Sequence, residues 1–287
     1  MRAAFADADG IDVRRGISFA TPADESLRLD LYRPAGDGPS EVSTAARRAA
    51  TVLVAGDRWR SIDRGELARY ALDLAERGYV CVVPEYRGSD AAAFPAQLRD
   101  LKAAIQWVRA SSEAVGVDPD RIGAFGYDAG AHLAVLAALT ADDAAFAPEP
   151  RVVDDDVAAA SDALSAVVGV GGTYALEHEP ETPALCVFLG GDRESAPEAW
   201  ARASPSTYLG TDGDDRSLTT TAPMLLLHGE DDAVAPSMAS ELFHDLLEER
   251  DLPGDCVVAA GAGHDVHETQ RAFTLEWAAG FFDRHLR

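Results

Sequence analysis

The run Arg121-Ile122-Gly123-Ala124-Phe125-Gly126-Tyr127-Asp128-Ala129-Gly130-Ala131-His132-Leu133 reads as an apolar strand, a tight turn from Gly126 to Gly130, and the opening of an Ala/Leu-rich helix that continues to Leu139. A strand, sharp turn and helix in this order push the middle residue of the turn into a strained, exposed position, the geometry of a nucleophile elbow. Serine is the usual occupant of that apex. Here it is Asp128, so the run points to a scaffold and leaves its chemistry open.

Outward from this run, strand-like and helical segments alternate from about Val52 onward, the pattern of a mostly parallel central sheet flanked by helices. Thr51–Val54, Tyr79–Val83, Ser165–Val170, Met224–Leu227 and Cys256–Ala259 read as strands. Glu66–Arg77, Phe94–Ala114, Pro236–Arg250 and Glu268–Leu286 read as helices. Leu27–Tyr32 alternates apolar and polar residues with period two, which predicts an antiparallel edge strand. Polar, acidic stretches at 37–49 and 141–160 read as surface insertions, and 171–221, with Tyr174, Trp200 and Tyr208, sits where a small lid belongs. Residues 1–287 read as one α/β domain, with no internal repeat.

Asp plus Glu total 49 against 25 Lys plus Arg, a formal net charge of −24, and Lys102 is the only lysine. Phosphate would be repelled, which argues against a nucleic-acid partner. The composition is that of salt-adapted proteins, in which high ionic strength screens self-repulsion, and it predicts instability at low salt. No window has the length and apolarity of a membrane span, and the first residues lack a signal-peptide stretch, so the expectation is a cytoplasmic protein with a small-molecule substrate and no membrane partner. Cys81, Cys186 and Cys256 are dispersed in apolar runs and read as buried thiols, in neither a disulfide framework nor a zinc site. Nothing in the sequence fixes an oligomeric state.

An activated nucleophile needs a base, and the base needs a group to orient it. The three positions occur in the order nucleophile, acid, histidine. Asp128 stands at the elbow, Asp232 follows Met224–Leu227 within His228-Gly229-Glu230-Asp231-Asp232, and His264 follows Cys256–Ala259 within Gly261-Ala262-Gly263-His264. Each lies past the carboxyl end of a strand, where open α/β sheets place ligands. Each also has a bland reading: Asp232 as a helix cap, His264 as a loop histidine. Asp231 competes for the acid role, while His228 and His267 compete less well for the base. Asp57, Asp128, Asp232 and His264 lack a metal-ligand spacing, and neither metal nor cofactor is expected.

The chain resembles the acetyl esterase, feruloyl esterase and kynurenine formamidase-like branch of α/β hydrolases from about Leu27 to the C-terminus. The likeness is carried by Leu29-Asp30-Leu31-Tyr32-Arg33-Pro34, Arg77-Gly78-Tyr79 through Tyr86-Arg87-Gly88, Gly116-Val117-Asp118-Pro119, the elbow with Ala129-Gly130-Ala131-His132-Leu133, and the two segments holding Asp232 and His264. It implies an α/β-hydrolase fold, a triad of Asp128, His264 and Asp232, and an oxyanion loop at Ala55-Gly56-Asp57-Arg58-Trp59. In that family the loop reads His-Gly-Gly-Gly-Trp or His-Gly-Gly-x-Trp. Gly56 and Trp59 match, whereas Asp57 and Arg58 fill small positions and should resist the dihedrals glycine permits. Backbone N–H groups of Arg58 and Ala129 remain potential donors to an oxyanion.

An aspartate changes the chemistry such a site can run. Addition of a carboxylate to an ester gives an intermediate from which the carboxylate, with a pKa near ~4, leaves faster than an alkoxide, so the adduct collapses backward. Against a saturated carbon bearing a leaving group the same carboxylate forms an alkyl ester, which water activated by His264 then hydrolyses. The turn is similar to that of epoxide hydrolases and dehalogenases, although haloalkane dehalogenases carry Trp where Ala129 stands. Leaving-group or substrate contacts would fall to Arg58, Trp59, Tyr127, Tyr174, Trp200 or Tyr208, with plain packing the bland reading for the aromatics. Hydrolysis of a small ester by water activated at His264 is a further reading, and the alternative outside catalysis is an inactive binding or scaffold protein in which Arg58 pairs with Asp128.

Overall fold

A computed structural model describes residues 6–8, 10–35, 47–60, 63–149, 152–210 and 222–287. In chain order the strands are β1 (Ala6–Ala8), β2 (Ile11–Ala20), β3 (Leu27–Pro34), β4 (Arg48–Val54), β5 (Val80–Pro84), β6 (Val117–Tyr127), β7 (Ala166–Val170), β8 (Met224–Gly229) and β9 (Gly254–Ala259). They form one sheet in the order β1-β2-β3-β5-β4-β6-β7-β8-β9. The first three are an antiparallel meander, β3 pairs antiparallel with β5, and every pair from β5-β4 to β8-β9 is parallel.

Helices α1 (Ala68–Glu76) and α10 (Arg271–Leu286) cover one face of the sheet; α2 (Ala96–Ala110), α4 (Ala129–Leu139) and α8 (Met238–Glu249) cover the other, with α3 (Ser112–Val115), α5 (Asp155–Ala158), α6 (Pro183–Leu189), α7 (Pro197–Ala203) and α9 (Val266–Thr269) as shorter pieces. Period-two alternation sorts the strand residues. Val52, Val54, Ala124, Val167 and Leu226 pack beneath α2, α4 and α8, while Leu53, Phe125, Val168 and Leu225 pack beneath α1 and α10. Helix α4 runs behind the sheet with every residue from Ala129 to Leu139 buried. Its approach to β4 is so close that a Cβ on Gly130 would lie 2.0 Å from the Val54 carbonyl oxygen, a contact only glycine admits.

Some expectations change in detail. The strand over Leu27–Tyr32 is antiparallel but interior, because β2 covers its outer side. β2 hides in the sequence because Arg15 interrupts the alternation of Ile11, Val13, Ile17 and Phe19, and a register shift against β3 between Arg14 and Ile17 moves its apolar residues from one face of the sheet to the other. The long helix from Phe94 ends at Ala110 and restarts as α3, which the left-handed Gly116 (φ 80°) terminates. The insertion at 37–49 falls largely outside the described residues, and Arg48 already belongs to β4. The described part of 141–160 contains a 3-10 turn (Ala144–Phe146) and α5. All three cysteines are free thiols, but only Cys81 is buried as expected, Cys186 and Cys256 being half-buried.

Lys102 is buried beside Asp162, with Nζ 2.8 Å from Oδ1 and side-chain exposures of 0% and 3%. The same ammonium donates to the Thr140 carbonyl at 2.5 Å, so it ties α2 to the end of α4 and to the chain entering β7. Among the described residues no helix is long and apolar enough to cross a membrane.

Candidate active site

Parallel strands put their carboxyl ends at one edge of the sheet, and four of those ends build the site. β4 leads into Ala55-Gly56-Asp57-Arg58-Trp59, β6 into Asp128, β8 into Asp232 and β9 into His264. β4 lies beside β6 with Val54 opposite Gly126, which brings the loop after β4 against the elbow. A Cβ on Gly56 would lie 2.7 Å from both Asp128 Cβ and the Tyr127 carbonyl oxygen, so the loop can come this near only through a glycine.

Asp128 occupies the apex with φ 51° and ψ −120°. Its Oδ2 accepts from the backbone N–H of Asp57 at 3.1 Å and of Arg58 at 2.9 Å. Its Oδ1 lies 3.6 Å from His264 Nε2, an ion-pair distance rather than a direct hydrogen bond. His264 Nδ1 lies 2.8 Å from Asp232 Oδ2. Asp232 Oδ1 accepts from the N–H of Val234 and Ala235 at 2.8 and 2.9 Å, so this carboxylate is held from both sides.

The charges follow from these contacts. Burial alone would raise the Asp128 pKa, but His264 and the N–H groups of Arg58 and Ala129 outweigh it and hold the carboxyl below its usual range. Asp232 is likewise driven down against its burial, by His228, His264 and two backbone N–H donors. Burial opposes the charged form of His264, yet the carboxylates of Asp128 and Asp232 prevail and push its pKa up to about 9. The imidazole is therefore an imidazolium at neutral pH, between two carboxylates. Glu66, across the site, is raised by burial and by the negative charges of Asp57, Glu268, Asp128 and Asp63.

A cavity of about 550 Å³ opens over these groups, lined by Asp57, Arg58, Glu66, Tyr127, Asp128 and His264 together with Asp63, Gly65 and Val234. Tyr127 donates its hydroxyl to Asp265 Oδ1 at 3.2 Å. The other candidate aromatics lie elsewhere. Trp59 is 5% exposed and stacks on Phe188 with ring centroids 4.5 Å apart. Tyr174 stacks on Phe243, Trp200 donates to the Gly191 carbonyl, and Tyr208 donates to the Arg202 carbonyl. None of these four lines the cavity. The described part of 171–221 packs most of its apolar side chains into the core beside α4, and it too contributes no lining residue.

Two further expectations change. Asp57 and Arg58 do take the left-handed dihedrals their side chains resist, with φ 76° and 51°, and Trp59 follows at 59°. The Arg58–Asp128 ion pair does not form: the contact is through the Arg58 N–H, and the side chain is exposed. Asp231 is exposed and takes no part in orienting His264. His228 is buried at the end of β8, and its Nε2 also lies 3.1 Å from Asp232 Oδ2, a role that its place four residues before Asp232 could have suggested. His267 is buried against Tyr127, with ring centroids 3.4 Å apart and its pKa pulled down to about 4 by burial. Among the described residues the one group of metal-type ligand atoms within 4.8 Å of one another is His244, Asp245 and Glu248 on α8.

Known proteins share this architecture. The BD-FAE family matches residues 29–247. Esterase LipQ of Mycobacterium tuberculosis is 32% identical over 236 residues, which cover 79% of this chain and 51% of LipQ. The isoprenylcysteine alpha-carbonyl methylesterase ICME of Arabidopsis thaliana is 26% identical over 88% of this chain and 56% of its own length. The chain thus spans little more than half the length of these relatives. Among solved structures, the propionate-bound esterase Est2 of the Planctomycetes species Thermogutta terrifontis superposes with a TM-score of 0.75 at 25% identity, covering 96% of this chain and 94% of that one. A truncated carbohydrate esterase from gut microbiota reaches 0.79 at 24% identity, over 98% and 99%. With its sheet order, its elbow and a family match across most of its length, the chain belongs to the BD-FAE family of α/β hydrolases.

Proposed function

We propose that the chain is a hydrolase whose nucleophile is the Asp128 carboxylate, acting on a small substrate in which a saturated carbon carries a good leaving group, an epoxide or an organic halide. The observation that carries this reading is the division of labour between the two oxygens of Asp128. Oδ2 accepts from the amides of Asp57 and Arg58, while Oδ1, of a residue that lines the cavity, lies beside His264 Nε2. An ester carbonyl entering as in a serine hydrolase finds those amides already taken. The carboxylate itself is left to react.

Oδ1 attacks the carbon, the bond to the leaving group breaks, and the departing group takes the electron pair. An alkyl ester now stands on Asp128, which has lost its charge. His264 keeps only Asp232 as a carboxylate neighbour, its pKa falls, and it gives up its proton, to the opened epoxide oxygen by way of solvent or to solvent alone in the halide case. Neutral His264 then takes a proton from water as the hydroxide adds to the ester carbon. Oδ2 becomes the oxyanion, already within reach of the Asp57 and Arg58 amides. Collapse expels the alcohol oxygen, which takes the proton from His264, and the acid left on Asp128 returns its proton to the imidazole.

A second reading, a non-catalytic binding or scaffold protein of the same fold, draws support from the Asp128–His264 ion pair, which engages nucleophile and base together at rest. Hydrolysis assays in molar KCl separate the two, with epoxides, haloalkanes, 2-halo acids and short acyl esters offered to the unchanged chain and to Asp128→Asn. We expect turnover of an epoxide or halide that disappears in Asp128→Asn. In a single turnover in water labelled with heavy oxygen, the label should enter Asp128 and not the product. Label in the first-turnover product would rule out the alkyl ester, and a folded protein that turns over nothing would favour the binding reading.

A further inference from the structure

Asp57, Arg58 and Trp59 are three successive non-glycine residues with φ of 76°, 51° and 59°. Each such residue is strained and persists only where its surroundings over-determine it. The amides of the first two residues bond Asp128. What pins the loop is the third. The Trp59 carbonyl oxygen accepts from the Ser89 N–H at 2.7 Å. Its indole stacks on Phe188 at an interplanar angle of 12° and meets the His132 ring edge-on, with centroids 5.3 Å apart and an angle of 88°. The indole Nε1–H donates to His132 Nδ1 at 3.1 Å.

An indole nitrogen can only donate, so His132 Nδ1 must carry no proton. Nε2 then holds the ring's single proton and donates it to the Ala203 carbonyl at 2.7 Å. One tautomer satisfies both contacts, and protonation of Nδ1 would break the bond to Trp59. The ring is fully buried, and burial pulls its pKa down to about 4, so it remains neutral. His132 also sits one helical turn beyond Asp128, its N–H donating to the Asp128 carbonyl at 3.2 Å. The first turn of α4 therefore carries both the carboxylate and the anchor of the loop whose amides bind that carboxylate.

We infer that His132 is a positioning residue: by accepting the Trp59 indole proton it holds the Asp57 and Arg58 amides on Asp128 Oδ2. The contact to Ala203 extends the same tie to α7. The inference stands on this geometry whether or not the site turns over a substrate.

Amide resonances of Asp57 and Arg58 test it directly, because an amide proton bonded to a carboxylate is displaced downfield. Asp128→Asn identifies the resonances by weakening that displacement. His132→Phe keeps the ring and removes the acceptor, Trp59→Phe keeps the stack and removes the donor, and His132→Asn replaces Nδ1 with an amide oxygen. Both Phe variants should move the two amide resonances toward ordinary loop values, and His132→Asn should retain the native shifts. Folding is followed separately by melting temperature, and Trp59→Phe serves if His132→Phe does not fold. If turnover is present, kcat should fall about tenfold or more in the Phe variants with little change in KM. Unchanged amide shifts in a folded Phe variant, or an Asn variant that behaves like Phe, would overturn the inference.

Discussion

Asp128 fills, with its own carboxylate, the amide pair that the proposed site would offer an anion. Oδ2 takes the amide donors that an incoming carbonyl oxygen would use, and Oδ1 holds His264 as a cation. Shortening the residue vacates both positions. Asp128→Ser should therefore create hydrolysis of short acyl esters where the unchanged chain has little, measured with chromogenic acetates; no gain in a folded variant would mean that the loop amides are misplaced for an oxyanion. The proton on His264 offers a second test. Its pKa of about 9 lies above the ordinary 6.5 because two carboxylates face it. The stability this contributes is complete below about pH 6.5 and is lost as pH rises through about 9. An imidazole titration followed by NMR should show the midpoint near 9, and Asp128→Asn, which leaves only Asp232, should lower it. A midpoint unmoved by that substitution would mean that Asp128 does not sense the ring.

At the scale of elements, the loop after β4 stores strain that the turn at Asp128 shares. Arg58 has φ 51° and an exposed side chain that bonds nothing at the site, while its N–H does the holding. Arg58→Gly should thus keep the donor, relieve the backbone, and stabilise the protein by about 1 kcal/mol after the entropy of glycine is counted. A lower melting temperature in that variant would show that the side chain matters after all. The same elements explain what could be read from the chain. The positions of Asp128, Asp232 and His264 are legible because each lies within a few residues of the carboxyl end of a strand, and parallel strands deliver their ends to one edge. The fold was legible for the same reason, through strands such as Val167–Val170 that are buried on both faces. β2 is not, since Arg15 interrupts its alternation beside a register shift. Trp59 and Trp200 were ambiguous because an aromatic beside a predicted site has the same sequence signature whether it faces the cavity or the core. Nor does spacing reveal that Trp59 and His132, far apart in the chain, share one hydrogen bond.

Across the whole molecule, a net charge of −24 makes compaction work against self-repulsion, and the carboxylates gathered round the cavity are a local instance. The melting temperature should rise between about 0.1 M and 2 M KCl as the screening length contracts to a few ångströms; a flat response would mean that the acidic surface is not a salt adaptation. The burial of Lys102 supplies an independent gauge of the same transition. It is the only lysine, and its Nζ is sealed between Asp162 and the Thr140 carbonyl. An acylating reagent that seeks side-chain amines therefore meets none in the folded protein. Modification of this one residue, counted by mass, becomes a clock for unfolding, and its rate across a salt series would measure how often the interior opens.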